Sequence, residues 1–498
     1  MNLTDEQLNI LEAVKVGTPF IKVVAFAGTG KTTLLYEIAK QTKGIKLYLA
    51  FNKAIQTEAI NKFANTKTIV KTTHSLAYNY VINRYGMKLR NNYSTMEIVQ
   101  IYNVDYTTAN TAKIIFENFC NSASTGFNAD TPEKELAKQI FEDMQNKKID
   151  VTHSFYLKQF QLDILAQNVI IPEYDMLLLD EAQDTNDVTL SIFYNIPAKQ
   201  KIIVGDRHQQ IYSFRGSINA INKIKAEIFY LTHSFRFNKK IAFKATNFLQ
   251  IFKNETKSLK GLGKHKEIKT KAIISRTNAE LILQMKYLME DNKKFKTIRN
   301  PKDIFSLALN LSNLANDEEV EKEYKFLNSF KQEYKFLSSS KKSSFDFDIL
   351  KFIEDKIEDD IELLSALKIA KTKDLDKIYK IAEQYYNQNE ADIFLTTAHT
   401  SKGLEFDEVI ITDDFLCYTS IAKWFIDNEI LDIKSGFLEF FKQNCKDQKY
   451  IDELNLYYVA VTRAKVKVID KTDFNFMNDE IADLKIEEEI KEFLNEKH

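Results

Sequence analysis

Cysteine, proline and glycine are all scarce in this chain of 498 residues, which holds 3, 5 and 12 of them. The three cysteines, Cys120, Cys417 and Cys445, lie far apart and without metal-ligand spacing. That excludes a disulfide scaffold and a metal finger, and it reads as reduced thiols in a cytoplasmic protein. Neither sign of charge is in excess: 69 Lys and Arg face 70 Asp and Glu, for a net charge of −1. Nothing global therefore advertises nucleic acid, and any DNA or RNA footprint must be a local stripe. Long hydrophobic runs are missing too, since no segment approaches the roughly twenty apolar residues of a membrane span. The opening MNLTDEQLNI carries acids, with neither the cationic nor the apolar region of a leader. The expectation is a soluble chain with no membrane partner, long enough for roughly three or four units of ordinary size.

Against so little glycine, two residues stand out: Gly28 and Gly30, within three positions of a Lys-Thr pair. Residues 25 to 33, AFAGTGKTT, follow the apolar run KVVAF and precede the helix-favouring LLYEIAKQT. Strand, glycine loop and helix start in that order form a phosphate cradle, and the spacing fits G-x-x-x-x-G-K-[ST] with Ala25 in the first position. Backbone N–H groups of Ala27, Gly28, Thr29 and Gly30 are expected to wrap phosphate oxygens at a helix N-terminus, with Thr33 close by. Lys31 would reach the β- and γ-phosphates, and Thr32 would ligate Mg²⁺. ATP and Mg²⁺ are the expected cofactors.

Short β-rich runs alternate with helices: KVVAF, IKLYLAF, KTIVKT, YDMLLLD and KIIVGD, then EIFYL, TKAIIS, DIFLTT, FDEVIIT and KVKVID. Such alternation implies an α/β chain with parallel sheets covered on both faces. The second set has no glycine loop of its own, so two lobes are expected, with nucleotide held by the first. The boundaries read as 1–85 and 166–225 for the first lobe, with a mainly helical insertion at 86–165. The second lobe reads as 226–285 and 391–475, with a helical insertion at 286–390 whose charge runs mark solvated helix faces. Ser338 to Ser344 is expected to turn between helices there, and 476–498 to form an acidic helix.

LLLDEAQD, 177 to 184, ends an apolar strand in two carboxylates. Strand alternation would send Asp180 and Glu181 in different directions, Asp180 towards Mg²⁺ and Glu181 towards the attacking water. In VGDRHQQIYSFRGSINA, Gln209 is placed to sense a γ-phosphate, while Tyr212 and Phe214 alternate with Arg215 as a stacking platform beside a cation. Arg236 and Arg463 are suited to reach the γ-phosphate from the second lobe. His399, Lys402 and Glu405 group in TTAHTSKGLEFDEVII. Thr4 and Gln7 form a T-x-x-Q capping box, and Gln7 is also placed to read adenine.

Taken in order, AFAGTGKT, THSLAY, DEAQD, GDRHQQIYSFRG, YLTHSFRF, SRTNA, KGLEFD and NLYYVAVTRAK resemble the motifs of the UvrD/Rep/PcrA superfamily 1A helicases, spanning Gln7 to Lys465. The pattern is similar to the helicase core of the F-box DNA helicases, with no F-box expected because Gln7 already lies in the first helicase motif. The resemblance implies two RecA-like lobes whose insertions are the domains called 1B and 2B. It implies an ATP site of Gln7, Lys31, Thr32, Asp180, Glu181, Gln209, Arg236, Glu405 and Arg463, with Phe235 stacking on adenine. Phe51, Asn52, His74, Tyr212, Phe214, Arg215 and His399 would line or neighbour a single-strand path. The implied activity is 3′ to 5′ translocation and unwinding on single-stranded DNA and its junctions. A DNA-stimulated ATPase that gates a nuclease or recombinase partner is the alternative. Three positions depart from the family: Thr33 replaces an adenine-stacking Arg, Thr73 replaces a Phe before His-Ser, and around AFNKA the aromatic, Phe51, is shifted by one position.

Overall fold

The structure, a computed structural model, describes residues 3–213, 220–321, 324, 326–340, 348–356, 361–372, 374–388, 391–416 and 448–474. Phe214, Arg215, Cys417, Cys445 and the expected helix at 476–498 lie outside these. Two compact units divide between Phe235 and Arg236.

The first unit is built on six strands: β1 (Phe20–Ala25), β2 (Lys46–Ala50), β3 (Thr68–Thr72), β4 (Tyr174–Leu179), β5 (Ala198–Gly205) and β6 (Glu227–Leu231). They lie in the order β3-β2-β4-β5-β1-β6, and every pairing is parallel. Helices on both faces explain why β1, β2 and β4 are largely apolar, with a single charged residue in each. Leu47, Leu49, Leu177 and Leu179 point to one core, while Tyr48, Met176, Leu178 and Val204 point to the other, as the two-residue period demands.

The second face is covered by α1 (Asp5–Lys15), α2 (Lys31–Gln41) and α3 (Lys53–Lys62), through Ile10, Leu34 and Ala59. Over the first face lie α4 (Thr73–Tyr78), α5 (Thr95–Tyr102), α6 (Tyr106–Asn121), α7 (Pro132–Gln145) and α8 (His153–Leu165), all between β3 and β4, followed by α9 (Asp187–Asn195). Phe116, Phe141, Phe155 and Phe160 of this helical stretch share one continuous core with the sheet leucines.

EIFYL, assigned from the sequence to the second lobe, is β6 of the first sheet, paired with β1 from Ile21↔Glu227 to Ala25↔Leu231. Its composition makes it a strand but carries no information on which sheet accepts it. Lys22 fixes the approach to β6: its buried ammonium donates to the carbonyls of Ile221 and Ile224 at 3.0 and 2.7 Å.

The second unit holds β7 (Lys271–Ser275), β8 (Phe295–Thr297), β9 (Ile393–Thr397), β10 (Phe406–Ile411) and β11 (Ala464–Asp470), all parallel, in the order β8-β9-β7-β10-β11. Asp407 ties β10 to the start of β7. Its carboxylate accepts from the N–H groups of Lys269 and Thr270 at 2.9 Å each and from the Thr270 hydroxyl at 3.0 Å, and it pairs with Lys465 at 2.7 Å.

Between β8 and β9 run helices Pro301–Ala315, Leu327–Ser340, Ile349–Glu354, Ile361–Ala370 and Leu375–Tyr386. The expected turn at Ser338 to Ser344 starts within a helix that continues through Ser340, and 341–344 lie outside the described residues. Serine is only a middling helix former, and a last turn tolerates it. Leu311, Leu314, Leu327, Ile353 and Leu367 form a core of these helices whose described members include no sheet residue. Among the described residues, no helix is long and apolar enough to cross a membrane.

Candidate nucleotide and strand site

β1 delivers the chain into a loop that turns on two left-handed glycines, Gly28 at φ 71° and Gly30 at φ 79°. Side chains rarely adopt that conformation, so the glycines are required by the turn itself. Thr29 braces the loop by donating to the Phe26 carbonyl at 2.8 Å, and α2 begins at Lys31 with no side chain capping it. Its first N–H groups are therefore available to an anion.

Lys31 and Thr32 meet the two carboxylates at the end of β4. The Lys31 ammonium lies 3.2 Å from both oxygens of Glu181, and the Thr32 hydroxyl donates to Asp180 Oδ2 at 3.0 Å. Strand alternation does not set the directions of these carboxylates, because β4 stops at Leu179 and Glu181 sits in the left-handed region at φ 50°. A non-glycine residue there is strained by roughly 1–2 kcal/mol. The turn separates the two roles while keeping the groups close: Glu181 N–H donates to Asp180 Oδ1 at 2.9 Å.

Three partners of this cluster escaped the sequence reading. Tyr48 on β2 donates to Asp180 Oδ2 at 2.7 Å. Gln183 donates to Glu181 at 2.5 Å and accepts from the Asp206 N–H at 2.9 Å, a reach made possible by Gly205, where a Cβ would stand 2.5 Å from its Oε1. Asp206, fully buried directly after β5, accepts a hydrogen bond of 2.7 Å from the Gln209 side-chain amide. Residue type at a strand end was the available signal for Asp206, whereas Tyr48 reads from the sequence as plain core.

Burial, and then the neighbouring Glu181, pushes the Asp180 carboxyl above its ordinary range, and burial does the same for Asp206. Burial works to lower Lys31, yet Glu181, Asp206 and Asp180 together hold its ammonium above the usual lysine value. For Mg²⁺ the chain offers the Thr32 hydroxyl and the Asp180 carboxylate, a hard oxygen pair of the kind that ion shares with phosphate.

Gln7 and Phe235 flank the loop. The predicted capping box is present, with Gln7 N–H donating to Thr4 at 3.2 Å and Thr4 N–H donating to Gln7 Oε1 at 3.1 Å. Gln7 Nε2 reaches the Thr29 carbonyl at 3.5 Å, and Phe235 N–H donates to the Gly28 carbonyl at 2.8 Å. Thr33 accepts from the Lys62 ammonium at 3.3 Å.

Of the residues expected along a strand path in this unit, Phe51 and Tyr212 stack with centroids 5.9 Å apart and planes 18° off parallel. They line one cavity with His74, Asp184 and Asn186. Tyr156 lies 3.1 Å from Nδ1 of both His74 and His153, and Asn52 caps α3 by accepting from Ile55 N–H at 2.9 Å.

In the second unit Arg236 pairs with Glu405 at 2.7 Å and donates to the Thr462 carbonyl at 3.0 Å. Arg463, fully buried, donates to the carbonyls of Val459 at 2.9 Å and Leu404 at 3.4 Å. His399 lies in the short helix Ala398–Ser401.

A family model described as an AAA domain matches residues 10–215. F-box DNA helicase 1 of Gallus gallus is 29% identical over 93% of this chain and 48% of its own length. F-box DNA helicase protein 1 of Schizosaccharomyces pombe is 30% identical over 94% of the chain and 57% of its own. A probable DNA helicase II homolog of Mycoplasma genitalium is 24% identical over 91% of the chain and 83% of its own. The chain thus spans about half the length of the two F-box relatives. With a phosphate loop facing a carboxylate pair on an all-parallel sheet, and with similarity running nearly end to end, this chain carries a superfamily 1 helicase core of the UvrD-like kind.

Proposed function

We propose that this chain is an ATP-driven translocase on single-stranded DNA that unwinds duplex with 3′ to 5′ polarity, in repair, recombination or defence. The observation that carries the reading is the ion pair between Lys31 and Glu181 beside the Thr32–Asp180 contact. A phosphate competing for the Lys31 ammonium frees the Glu181 carboxylate to take a proton from water. Thr32 and Asp180 would hold Mg²⁺, which when bound would neutralise charge on the phosphate oxygens. Asp206 fixes the Gln209 amide. Arg236 and Arg463 supply cations for charge that develops in the transition state. Names of relatives as DNA helicases support the choice of polymer.

The test is ATP turnover with single-stranded DNA, duplex DNA, RNA and no polymer, run beside strand displacement on 3′- and 5′-tailed duplexes. Stimulation by single strands together with unwinding from 3′ tails is expected. Stimulation without strand separation would instead favour an ATPase that gates a nuclease or recombinase partner. No stimulation by any polymer would sink both readings.

A further inference from the structure

Glu6 belongs to neither the loop motif nor the carboxylate pair, yet it joins the two segments that flank the loop. It stands in the first turn of α1, next to Gln7. Its carboxylate takes both hydrogens that Thr232 can give: Oε2 accepts from the backbone N–H at 2.8 Å, and Oε1 from the hydroxyl at 2.6 Å. His233 Nδ1 lies 3.1 Å from Oε2. Thr232 follows directly on β6, the edge strand, and three residues later comes Phe235. These hydrogen bonds, with His233, hold the Glu6 carboxyl below its usual range even though burial works to raise it.

What the clamp sets is a spacing. A Cβ built on Gly30 would lie 3.4 Å from Gln7 Nε2 and 3.9 Å from the Phe235 ring, so amide and ring stand over the same point of the loop. The Phe235 backbone is tied to the loop by its N–H at 2.8 Å from the Gly28 carbonyl, whereas the Gln7 amide that faces the ring is held less firmly. The Gln7 amide reaches Thr29 at 3.5 Å, the outer limit of a hydrogen bond. Ser234, between His233 and Phe235, is fully buried, and its hydroxyl has no hydrogen-bond partner among the described residues. The two short bonds from Glu6 to Thr232 are the firm connection between α1 and this segment.

We propose that Glu6 is a positioning residue for the base of the nucleotide: by gripping Thr232 it fixes the Gln7 amide against the Phe235 ring, and with that the preference for adenine. The inference rests on the ATP-driven reading above. Adenine presents an amino donor beside an acceptor nitrogen, a pair that one carboxamide matches, whereas guanine presents two acceptors on the same edge. A change in spacing therefore weakens the base contact and leaves the triphosphate contact to Lys31 and the loop.

Equilibrium binding of ATP, GTP and inorganic tripolyphosphate to wild type, Glu6→Ala, Glu6→Gln and Thr232→Val tests this, with thermal unfolding measured in parallel. Glu6→Ala is expected to weaken ATP by about tenfold, as loss of charge-assisted hydrogen bonds does, to narrow the ATP-over-GTP preference, and to leave tripolyphosphate unchanged. Glu6→Gln keeps an acceptor for Thr232 and should recover part of the loss. Thr232→Val keeps the backbone bond and should fall between. Unchanged ATP affinity in a folded Glu6→Ala protein, or equal weakening of all three ligands, would overturn the assignment. Binding with no turnover in wild type would sink the ATP-driven activity while leaving Glu6 tested, and absence of nucleotide binding would sink both.

Discussion

Lys31 stands among three carboxylates, and the direction of each shift says what its removal does. Its own value is raised in the folded protein, so its stabilising contribution is complete below the unfolded lysine value and is lost only as pH rises through the folded one. Asp180 and Asp206 are also raised. Their favourable contribution lies below the unfolded carboxyl range and is gone at neutral pH, where they burden the fold and Lys31 offsets them. Lys31→Ala should abolish ATP turnover and destabilise the protein at pH 8 by about 3 kcal/mol, the scale for stranding a buried charge. At pH 5 the loss should shrink, since the stranded carboxyls take up protons. Urea unfolding at the two pH values checks this, and equal losses would contradict the account.

The cradle was legible because its chemistry is written consecutively: two glycines that must turn left-handed, then Lys31 and Thr32 at a helix start. Asp180 and Glu181 were legible for the same reason, at the end of an apolar run. Tyr48, Gln183 and Asp206 were not. They reach the cluster through the adjacency of β2, β4 and β5, and no local pattern encodes which strand lies beside which. Glu6 is hidden likewise, 226 residues from its partner.

Among elements, strands declared themselves by composition and sheets did not. Both parallel sheets follow from the alternation of apolar runs with helices, whereas the place of β6 followed from pairing alone. Asp407 shows what such pairing rests on, since one carboxylate receives donors from the approach to β7 and from Lys465 on β11. Its carboxyl is held well below the ordinary range by Lys465 and the two N–H groups, against a burial effect that would raise it. A depressed carboxyl contributes stability above its unfolded value that is lost as pH falls through the folded one. Asp407→Asn should therefore destabilise the second unit by about 1–3 kcal/mol near neutral pH, with the difference from wild type shrinking in strong acid. Chemical denaturation followed by a probe in β10 reads it out, and a loss that persists undiminished in acid would count against the charge.

For the whole molecule, the phosphate loop lies in the first unit, and Arg236 and Arg463 lie in the second. Arg236→Ala and Arg463→Ala should each slow ATP hydrolysis by about 10³-fold or more while weakening ATP binding little, since a cation acting on the transition state has that scale. The buried guanidinium of Arg463 also bonds two carbonyls, so its variant needs a thermal melt as control. Slow hydrolysis matched by equally weak binding would assign either arginine to ground-state contact alone.

The two helical insertions differ in one respect that governs how the chain breathes. The first shares a single core with its sheet, from Leu47 and Leu177 to Phe141 and Phe160, so it cannot detach without exposing the sheet face. In the second, the core around Leu311, Leu327 and Leu367 holds no strand residue among the described residues, and helix Pro301–Ala315 contributes both to it and to the cluster that contains the strands. A cluster closed on itself is able to open by itself. In native-state hydrogen exchange, the amides of α6 to α8 should report the same opening free energy as β2 and β4. Those of Ile349–Glu354, whose buried residues all belong to the second cluster, should exchange through a smaller, earlier opening, while Pro301–Ala315 and Leu375–Tyr386, which share a core with the strands, stay protected with them.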